Sequence, residues 1–336
     1  MKPLKENRIP DHALSTPEPE PTSVPKLPLA RYRIQYRAAG PVQLPQYSGS
    51  AWRGALGHAL KKLVCVTRHE ACAPCALVHS CAHAYLFETP PPRDSAKMRK
   101  YPAVPHPFLL EPPVGVGELP EGAPYALDLT LFGHANRHLP YLLHAFERAG
   151  NMGIGRGRSP LQMLRTERRD RPDAGLWRQI HQPGGAVMNP PVDALEIPAP
   201  PGGEIRVEFL TPLRLRRAGQ PVRPAELEFV DLFSNLLRRV SMLTYFHTDT
   251  PLETDFAGLV NAARKVEAGQ RELNWRPWSR HSTRQKKALA MDGLIGSIVF
   301  RDPALSRFWP YLWLGQFVHA GSGTSMGQGR MRIVAV

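Results

Sequence analysis

Two short stretches of glycine and arginine have the composition of a phosphate-binding loop. Residues 152–158 read Met-Gly-Ile-Gly-Arg-Gly-Arg, and residues 326–332 read Met-Gly-Gln-Gly-Arg-Met-Arg. Glycines at this spacing let a backbone come very near a ligand, and free N–H groups beside arginines suit phosphate. Ordinary helix-to-strand turns are the simpler explanation for either copy alone. The residues for which we expect a phosphate-binding role are Arg156, Arg158, Gly321, Gly323, Gly327, Gly329 and Arg330.

The two glycine stretches also share their surroundings, which indicates an internal repeat. Each follows a segment that opens Tyr-Leu, at residues 141–142 and 311–312, and then an Ala-Gly pair, at residues 149–150 and 320–321. An alternating strand comes after each stretch. The sequence therefore predicts that the C-terminal part of one type of domain occurs twice in the chain.

A loop and the helix after it carry side chains suited to acid–base chemistry. Tyr47, His58 and Lys61 or Lys62 fall within this unit, and His58 and Lys62, four residues apart, share one face of the helix. Histidine suits proton transfer because its pKa of roughly 6.5 lies near neutrality. Arg53 also lies off the apolar stripe of the helix and would face solvent or a ligand. A surface role without chemistry is the alternative for His58.

The motifs of common metal-dependent enzymes are missing from the sequence. It has no P-loop, no H-E-x-x-H, no G-x-S-x-G and no carboxylate cluster of the kind that binds two magnesium ions. A nuclease built from these residues would therefore work without a catalytic metal. RNA permits this, because its own 2′-hydroxyl can attack the adjacent phosphate if a base, an acid and cations are supplied.

All four cysteines of the chain fall within one short segment. Cys65, Cys72, Cys75 and Cys81 have the spacing C-x6-C-x2-C-x5-C. A C-x2-C knuckle supplies two of the four soft ligands that zinc prefers. The pattern predicts a structural zinc site, with an iron–sulfur cluster or a histidine in place of one cysteine left open. Free thiols are the alternative.

The overall charge favours a polyanion as partner. Lys and Arg number 43 against 29 Asp and Glu, a net charge of +14, which points to nucleic acid first and an anionic membrane second. No apolar run is long enough to cross a bilayer, and no secretory signal is present, so we expect a cytoplasmic protein without a membrane partner.

Cations and aromatic residues are densest between residues 275 and 287. Tryptophan and arginine planes can stack on the bases of single-stranded RNA, whereas a solvated basic face with two core tryptophans is the simpler alternative. The candidate RNA-binding cations of this segment are Arg276, Arg280, Arg284, Lys286 and Lys287, and His281 is a second candidate catalytic histidine.

Hydrophobic periodicity predicts an α+β protein with two similar halves. The first half has the order strand, helix, strands, helix, strand, which is the ferredoxin-like arrangement, and the second half repeats it. We predict tandem ferredoxin-like (RRM-like) domains with a small Cys-rich metal-binding insertion in the first. The expected division is a disordered arm at 1–28, a first domain at 29–170 with the insertion at 65–85, a linker at 171–203 and a second domain at 204–336.

Several of these motifs together resemble a known family. It is similar to the CRISPR-associated endoribonucleases that process precursor CRISPR RNA, members of the RAMP superfamily, over most of the chain from Arg31 onward. The resemblance is carried by residues 49–57 (GSAWRGALG), 72–75 (CAPC), 86–88 (LFE), 153–156 (GIGR), 210–213 (LTPL), 279–285 (SRHSTRQ), 318–321 (VHAG) and 327–329 (GQG).

The resemblance implies cleavage within repeat RNA to mature guide RNA, with 2′,3′-cyclic phosphate and 5′-hydroxyl ends. It also implies a catalytic histidine on the first helix, for which His58 with Tyr47 and Lys62 would be the counterpart. His281 stands where an aromatic residue would be expected. The implied partners are CRISPR repeat RNA and subunits of a CRISPR effector complex. A non-cleaving RAMP subunit and a zinc-bearing RNA-binding protein unrelated to CRISPR are the alternatives.

Overall fold

The computed structural model describes residues 24–92, 95, 104–277, 279–282, 287–302 and 305–335, and of residues 279–282 and 287–290 it describes the backbone only. Strands and helices are mixed, and the strands of both main sheets run antiparallel. The predicted α+β class is confirmed. Among the described residues, no helix has both the length and the apolar character needed to cross a membrane.

The first half contains a five-stranded sheet covered by two helices. The sheet has the strand order β3-β5-β1-β6-β7. The elements of this half are β1 (Leu29–Ala38), β2 (Val42–Gln43), α1 (Gly49–Val64), β3 (Phe108–Glu111), β4 (Glu118–Leu119), β5 (Pro124–Phe132), α2 (Leu139–Asn151), β6 (Leu161–Arg169) and β7 (Trp177–His181).

Helix α1 is held to the sheet by an aromatic contact at the start of its apolar stripe. Trp52, Leu56 and Leu60 are fully buried. The indole N–H of Trp52 donates to the hydroxyl of Tyr125 at 2.8 Å, and the two rings stack with centroids 5.9 Å apart. Apolar residues at this spacing fix which side of a helix faces the core. His58 and Lys62 consequently point to solvent.

The second half contains a four-stranded sheet with the order β11-β14-β8-β15. Numbered in chain order, the strands of this sheet lie side by side in the order second, third, first and fourth. The strands β3, β5, β1 and β6 of the first half lie in the same spatial order. The elements are β8 (Ile205–Leu213), β9 (Arg216–Arg217), β10 (Gln220–Pro221), α3 (Phe229–His247), α4 (Phe256–Ala263), β11 (Glu267–Arg276), β12 (Ser279–Ser282), β13 (Lys287–Ala290), β14 (Gly293–Arg301), α5 (Trp309–Val318) and β15 (Met331–Ala335).

The segment expected to be a linker contains an additional strand. β7 pairs with β6 at the edge of the first sheet, and Ala194 forms an isolated bridge with Pro28. Leu27, at the end of the expected arm, is buried in the core that the two halves share, whereas residues 1–23 lie outside the described residues. The limits of the domains stay a prediction.

The two halves meet at the carboxylate of Glu111, the last residue of β3. Its side chain is only 6% exposed. One carboxylate oxygen lies 3.3 Å from Arg31 Nη2, and the other lies 3.4 Å from His319 Nε2 and 3.2 Å from Arg330 Nε. Arg31 belongs to the first sheet, whereas Arg330 belongs to the second glycine stretch and His319 precedes it in the chain. The carboxylate therefore ties this stretch to the first half.

Burial and charge act in opposite directions on this group. Burial alone raises the pKa of the Glu111 carboxyl, but His319, Arg31 and Arg330 together outweigh it and hold the pKa well below its usual range. Burial lowers the pKa of His319, and the facing carboxylate only partly opposes this. Glu111 is consequently ionised at neutral pH inside the contact between the halves.

A second contact between the halves is made by His247 at the end of α3. Its Nε2 lies 2.8 Å from the carbonyl oxygen of Pro105, and its Nδ1 lies 3.0 Å from the hydroxyl of Tyr85. Burial lowers the pKa of His247 to about 4, and burial together with nearby Arg53 lowers the pKa of His106 to about 3. Both imidazoles are therefore neutral in the folded protein near pH 7.

Removing the charge of Glu111 should destabilise the protein strongly. In Glu111→Gln, Arg31 and Arg330 lose their shared counter-ion, and breaking a buried ion pair in this way costs roughly 3 kcal/mol of unfolding free energy. The matched control is Glu208→Gln, since Glu208 pairs with Arg332 on an exposed edge and such pairs contribute at most about 1 kcal/mol. Urea denaturation of both variants is the measurement. Equal losses would contradict a special role for Glu111.

Stability should also fall in mild acid. A histidine whose pKa is depressed by folding is protonated first in the unfolded chain, so the protein is most stable above pH 6.5 and loses stability as pH falls toward about 4. For His247 alone the loss is roughly 3 kcal/mol, at about 1.4 kcal/mol per pKa unit. In His247→Gln the unfolding free energy should depend less steeply on pH over this range. Tyr85→Phe, which keeps the imidazole, should retain the wild-type slope.

Candidate functional site

One exposed face of α1 carries the candidate catalytic pair. His58 and Lys62 are both exposed and one helical turn apart, as their spacing predicts. Lys61 lies to the side, and its ammonium donates to the carbonyl oxygen of Glu70 at 2.6 Å. The arrangement leaves an imidazole and an ammonium accessible to a ligand on the same surface.

Tyr47 does not lie on that surface. Its side chain is buried, its hydroxyl donates to the carbonyl oxygen of Met326, and burial raises the pKa of the phenol far above its ordinary value. The hydroxyl is thus next to the start of α1 at Gly49, whereas His58 lies nine residues further along the helix, about 14 Å at 1.5 Å per residue. The structure brings His58 and Lys62 together but does not bring Tyr47 to them.

The second glycine stretch packs between the halves. Gly327, Gln328 and Gly329 are buried, and a Cβ atom at Gly327, where φ is +86°, would overlap with the Tyr47 hydroxyl and the Leu110 carbonyl. The expectation of free N–H groups for phosphate is wrong here, because the protein itself accepts their hydrogen bonds. The acceptors are Asn235 Oδ1 for Gly321, the carbonyl of Thr324 for Gly327, the carbonyl of Pro212 for Gly329 and Thr211 Oγ1 for Arg330.

The first glycine stretch is exposed. Arg156, Gly157 and Arg158 all face solvent. Gly155 has a φ of +83° and passes so close to Gln43 that a Cβ atom would overlap with its carbonyl oxygen. That oxygen also accepts the N–H of Arg156 at 3.0 Å. The guanidinium groups, and not this backbone donor, are therefore what the first stretch offers to an anion.

A short connection joins the two glycine stretches. Gln43 contacts the first stretch, and Tyr47, four residues later, contacts the second. Even a fully extended chain spans only about 14 Å over four residues. Both stretches consequently contact the same short segment of the chain, residues 43–47, although Met152 and Met326 are 174 positions apart in the sequence.

The remaining RNA-binding candidates differ in their exposure and in their contacts. Arg53 is half-buried, with Nη2 2.8 Å from His106 Nε2, and Arg330 is engaged with Glu111. Arg276 is exposed at the end of β11. His281 pairs with Ala288 through the backbone of the β12–β13 hairpin. The side chains of His281, Arg280 and Lys287, and the whole of Arg284 and Lys286, lie outside the described residues.

The cysteine segment forms turns after α1. All four cysteines line one cavity, but the expected four-cysteine zinc tetrahedron is not formed. Among the described residues, which include every cysteine, the one group of three or more ligand atoms within 4.8 Å of one another is Cys72, His83 and Glu88. Cys72 Sγ lies 3.6 Å from His83 Nδ1. The Cys-rich insertion in the first half and its metal stay predictions.

Several polar residues of the structure were not found from sequence spacing. Glu111, His106 and His247 meet partners more than fifty residues away in the chain. The one local signal is a carboxylate that ends the apolar run Phe108-Leu109-Leu110, since a charge next to a buried strand needs a counter-ion.

Comparison with known sequences gives two family matches. A family model described as an N-terminal domain matches residues 27–192, and the model of CRISPR-associated endoribonuclease Cas6 matches residues 207–331. An uncharacterized protein of Archaeoglobus fulgidus is 24% identical over 306 residues, which are 86% of this chain and 92% of that protein.

Solved structures agree in fold. Cas6 of Thermus thermophilus is 17% identical, with a TM-score of 0.52 over 92% of this chain and 99% of that one. A chain of a partial Cas6-RT-Cas1–Cas2 complex is 13% identical, with a TM-score of 0.55 over 92% of this chain and 46% of that one. The second half of the chain is thus similar to the CRISPR-associated endoribonuclease Cas6 family.

Proposed function

We propose that this protein is an endoribonuclease that binds CRISPR repeat RNA and cleaves it to mature guide RNA without a catalytic metal. The observation that carries the proposal is the match of residues 207–331 to the Cas6 family model. The exposed His58 and Lys62 supply groups for such a reaction, and the excess of 14 positive charges favours an RNA partner.

We interpret the two halves as tandem ferredoxin-like domains. In each half a first strand, a helix, two strands, a helix and a last strand follow one another, and the sheet order is second, third, first and fourth strand. This is the split βαβ arrangement. The proposed division places the first domain at 29–170 and the second at 204–336, with β7 added to the first sheet from the segment between them.

The proposed chemistry uses the RNA as its own nucleophile. His58 would accept the proton of the 2′-hydroxyl as this oxygen attacks the adjacent phosphorus. The bond from phosphorus to the 5′-oxygen breaks, and that oxygen leaves as a 5′-hydroxyl after it takes up a proton, while the other product ends in a 2′,3′-cyclic phosphate. The ammonium of Lys62 would stabilise the extra negative charge on the phosphate oxygens.

The RNA would run along the surface on which the first glycine stretch is exposed. Arg156 and Arg158 can pair with phosphates there, and Arg276 adds a cation in the second half. We assign Tyr47 to positioning, since its hydroxyl donates to the carbonyl oxygen of Met326 in the second stretch. Contact of RNA with Gly321, Gly323, Gly327, Gly329 and Arg330 stays a prediction.

Other CRISPR proteins are proposed partners. A similar fold occurs in a chain of a Cas6-RT-Cas1–Cas2 complex, and this protein could join an effector complex in the cytoplasm, as the resemblance implies. The alternative function is a RAMP-type subunit that binds guide RNA without cleaving it. The separation of Tyr47 from His58 favours this alternative, because the expected three-residue site is not assembled.

Replacement of His58 should abolish most of the cleavage. His58→Ala removes the proposed base, which should slow repeat-RNA cleavage about 10²- to 10⁴-fold and leave RNA affinity unchanged. The measurement is single-turnover cleavage in excess chelator, with analysis of the product ends. His144→Ala is the matched control, since His144 is an exposed histidine on α2.

Two outcomes of this experiment would contradict the proposal. The first is cleavage of a substrate that carries a 2′-deoxy sugar before the scissile phosphate, since that substrate lacks the nucleophile. The second is no cleavage by the wild-type protein despite tight binding, which would support the non-cleaving subunit.

Affinity for RNA should depend on salt through the first glycine stretch. For single strands the log–log slope of affinity against salt is about −0.7 per phosphate neutralised. Arg156→Gln and Arg158→Gln should each make the slope shallower by about 0.7, as measured by fluorescence anisotropy. Arg171→Gln is the control, because Asp173 lies 2.9 Å from Arg171 and already neutralises it. An unchanged slope in both loop variants would exclude this stretch from the RNA contact.

A further inference from the structure

The four cysteines surround one cavity between the two helices of the first half. It has a volume of about 280 Å³ and is bounded by the end of α1, the turns after it and Tyr141 of α2. Cys65, Cys72, Cys75 and Cys81 all line it, although they come from a segment of seventeen residues that folds without regular strands. The chain therefore directs every thiol it has toward the same space.

The spacing of the sulfurs does not suit one metal ion. Four thiolates on a single zinc ion, at about 2.3 Å each, lie about 4 Å from one another. No three of the cysteine sulfurs, all of which belong to the described residues, come within 4.8 Å of one another. The sulfurs are spread around the cavity instead of meeting at a point.

An iron–sulfur cluster accounts for this arrangement. Its four thiolates are divided among two or four irons, so they do not all meet at one ion, and four cysteines are the usual ligand set. We propose that the cavity binds an iron–sulfur cluster through Cys65, Cys72, Cys75 and Cys81. Each thiol gives up its proton when it ligates iron, and the assembled cluster fills a space that one ion would leave empty.

Two neighbouring groups fit a negatively charged cluster. Thr67 Oγ1 lies 3.8 Å from Cys65 Sγ and 3.5 Å from Cys75 Sγ, so its hydroxyl can donate to a ligating sulfur. Lys61 lines the cavity and brings a positive charge. Hydrogen bonds to sulfur and nearby charge are the means by which a protein stabilises such a cluster.

The group of Cys72, His83 and Glu88 is the competing site. It would use one cysteine and leave three thiols of the same cavity without a metal. His83 is also stacked on Phe87, with ring centroids 5.5 Å apart, which accounts for its position by packing. The two sites differ in the residues they require, and this difference can be tested.

The test measures bound metal and not cleavage, so its failure is distinguishable from failure of the proposed function. The full chain is purified without oxygen and incubated with ferric iron, sulfide and a dithiol, which supplies the electrons that a mixed-valence four-iron cluster needs. We expect visible charge-transfer absorption, with iron and acid-labile sulfide in equal amounts, two or four of each per chain. Zinc at one per chain without sulfide, or iron without sulfide, would overturn the proposal.

Variants then identify the ligands. Cys65→Ser, Cys75→Ser and Cys81→Ser should each lose most of the bound iron and sulfide, whereas His83→Gln should retain them. Loss of metal in His83→Gln, with retention in Cys65→Ser and Cys81→Ser, would assign the metal to the competing site. The iron-to-sulfide ratio of the wild-type protein decides the question even if a variant fails to fold.

Discussion

The structure depends on how the carboxylate of Glu111 is neutralised. An ionised carboxylate that is almost withdrawn from water needs cations around it, and without them it would be among the most unfavourable groups in the protein. One cation, Arg31, comes from the neighbouring part of the same sheet, but the other partners, His319 and Arg330, belong to the far end of the chain. The second glycine stretch therefore has to lie against the first sheet. Its glycines serve this close approach, and its backbone donors are used inside the protein.

This constraint separates two stretches that look alike in sequence. Arg156 and Arg158 of the first copy face solvent, whereas Arg330 of the second copy is bound to the buried carboxylate of Glu111. Similar sequences thus serve two purposes, since one presents charge and the other joins the halves. The connection from Gln43 to Tyr47 contacts both copies, so the exposed arginines of the first copy lie near the contact that holds the halves together.

Sequence reasoning was successful where one apolar face decides the structure. The stripe of α1 around Trp52 and Leu56 and the alternation of β1 both gave the observed elements, because burial on one side imposes a period. It failed for β7 and β11, which lie at sheet edges and expose residues on both faces, so no alternation marks them. Contacts such as that of Tyr47 with Met326 join residues 279 positions apart. Spacing placed Tyr47 near His58, and only the fold shows that its hydroxyl turns away.

Helix α1 is fixed at both ends by features that lie outside it. At its start, Gly49 and Tyr47 meet Met326 of the second half, and at its end Cys65 caps the last turn through the carbonyl of Lys61 and begins the cysteine segment. His58 and Lys62 lie between these two anchors. A group bound by the cysteines would therefore hold the end of this helix in place. It would fix the positions of the catalytic candidates without touching RNA, because the side chains of a rigid helix move together with its end. Likewise, a loosened Glu111 contact would shift the same helix from its other end. The cysteine segment and the contact between the halves are thus connected to the same helix, one at its end and the other at its start.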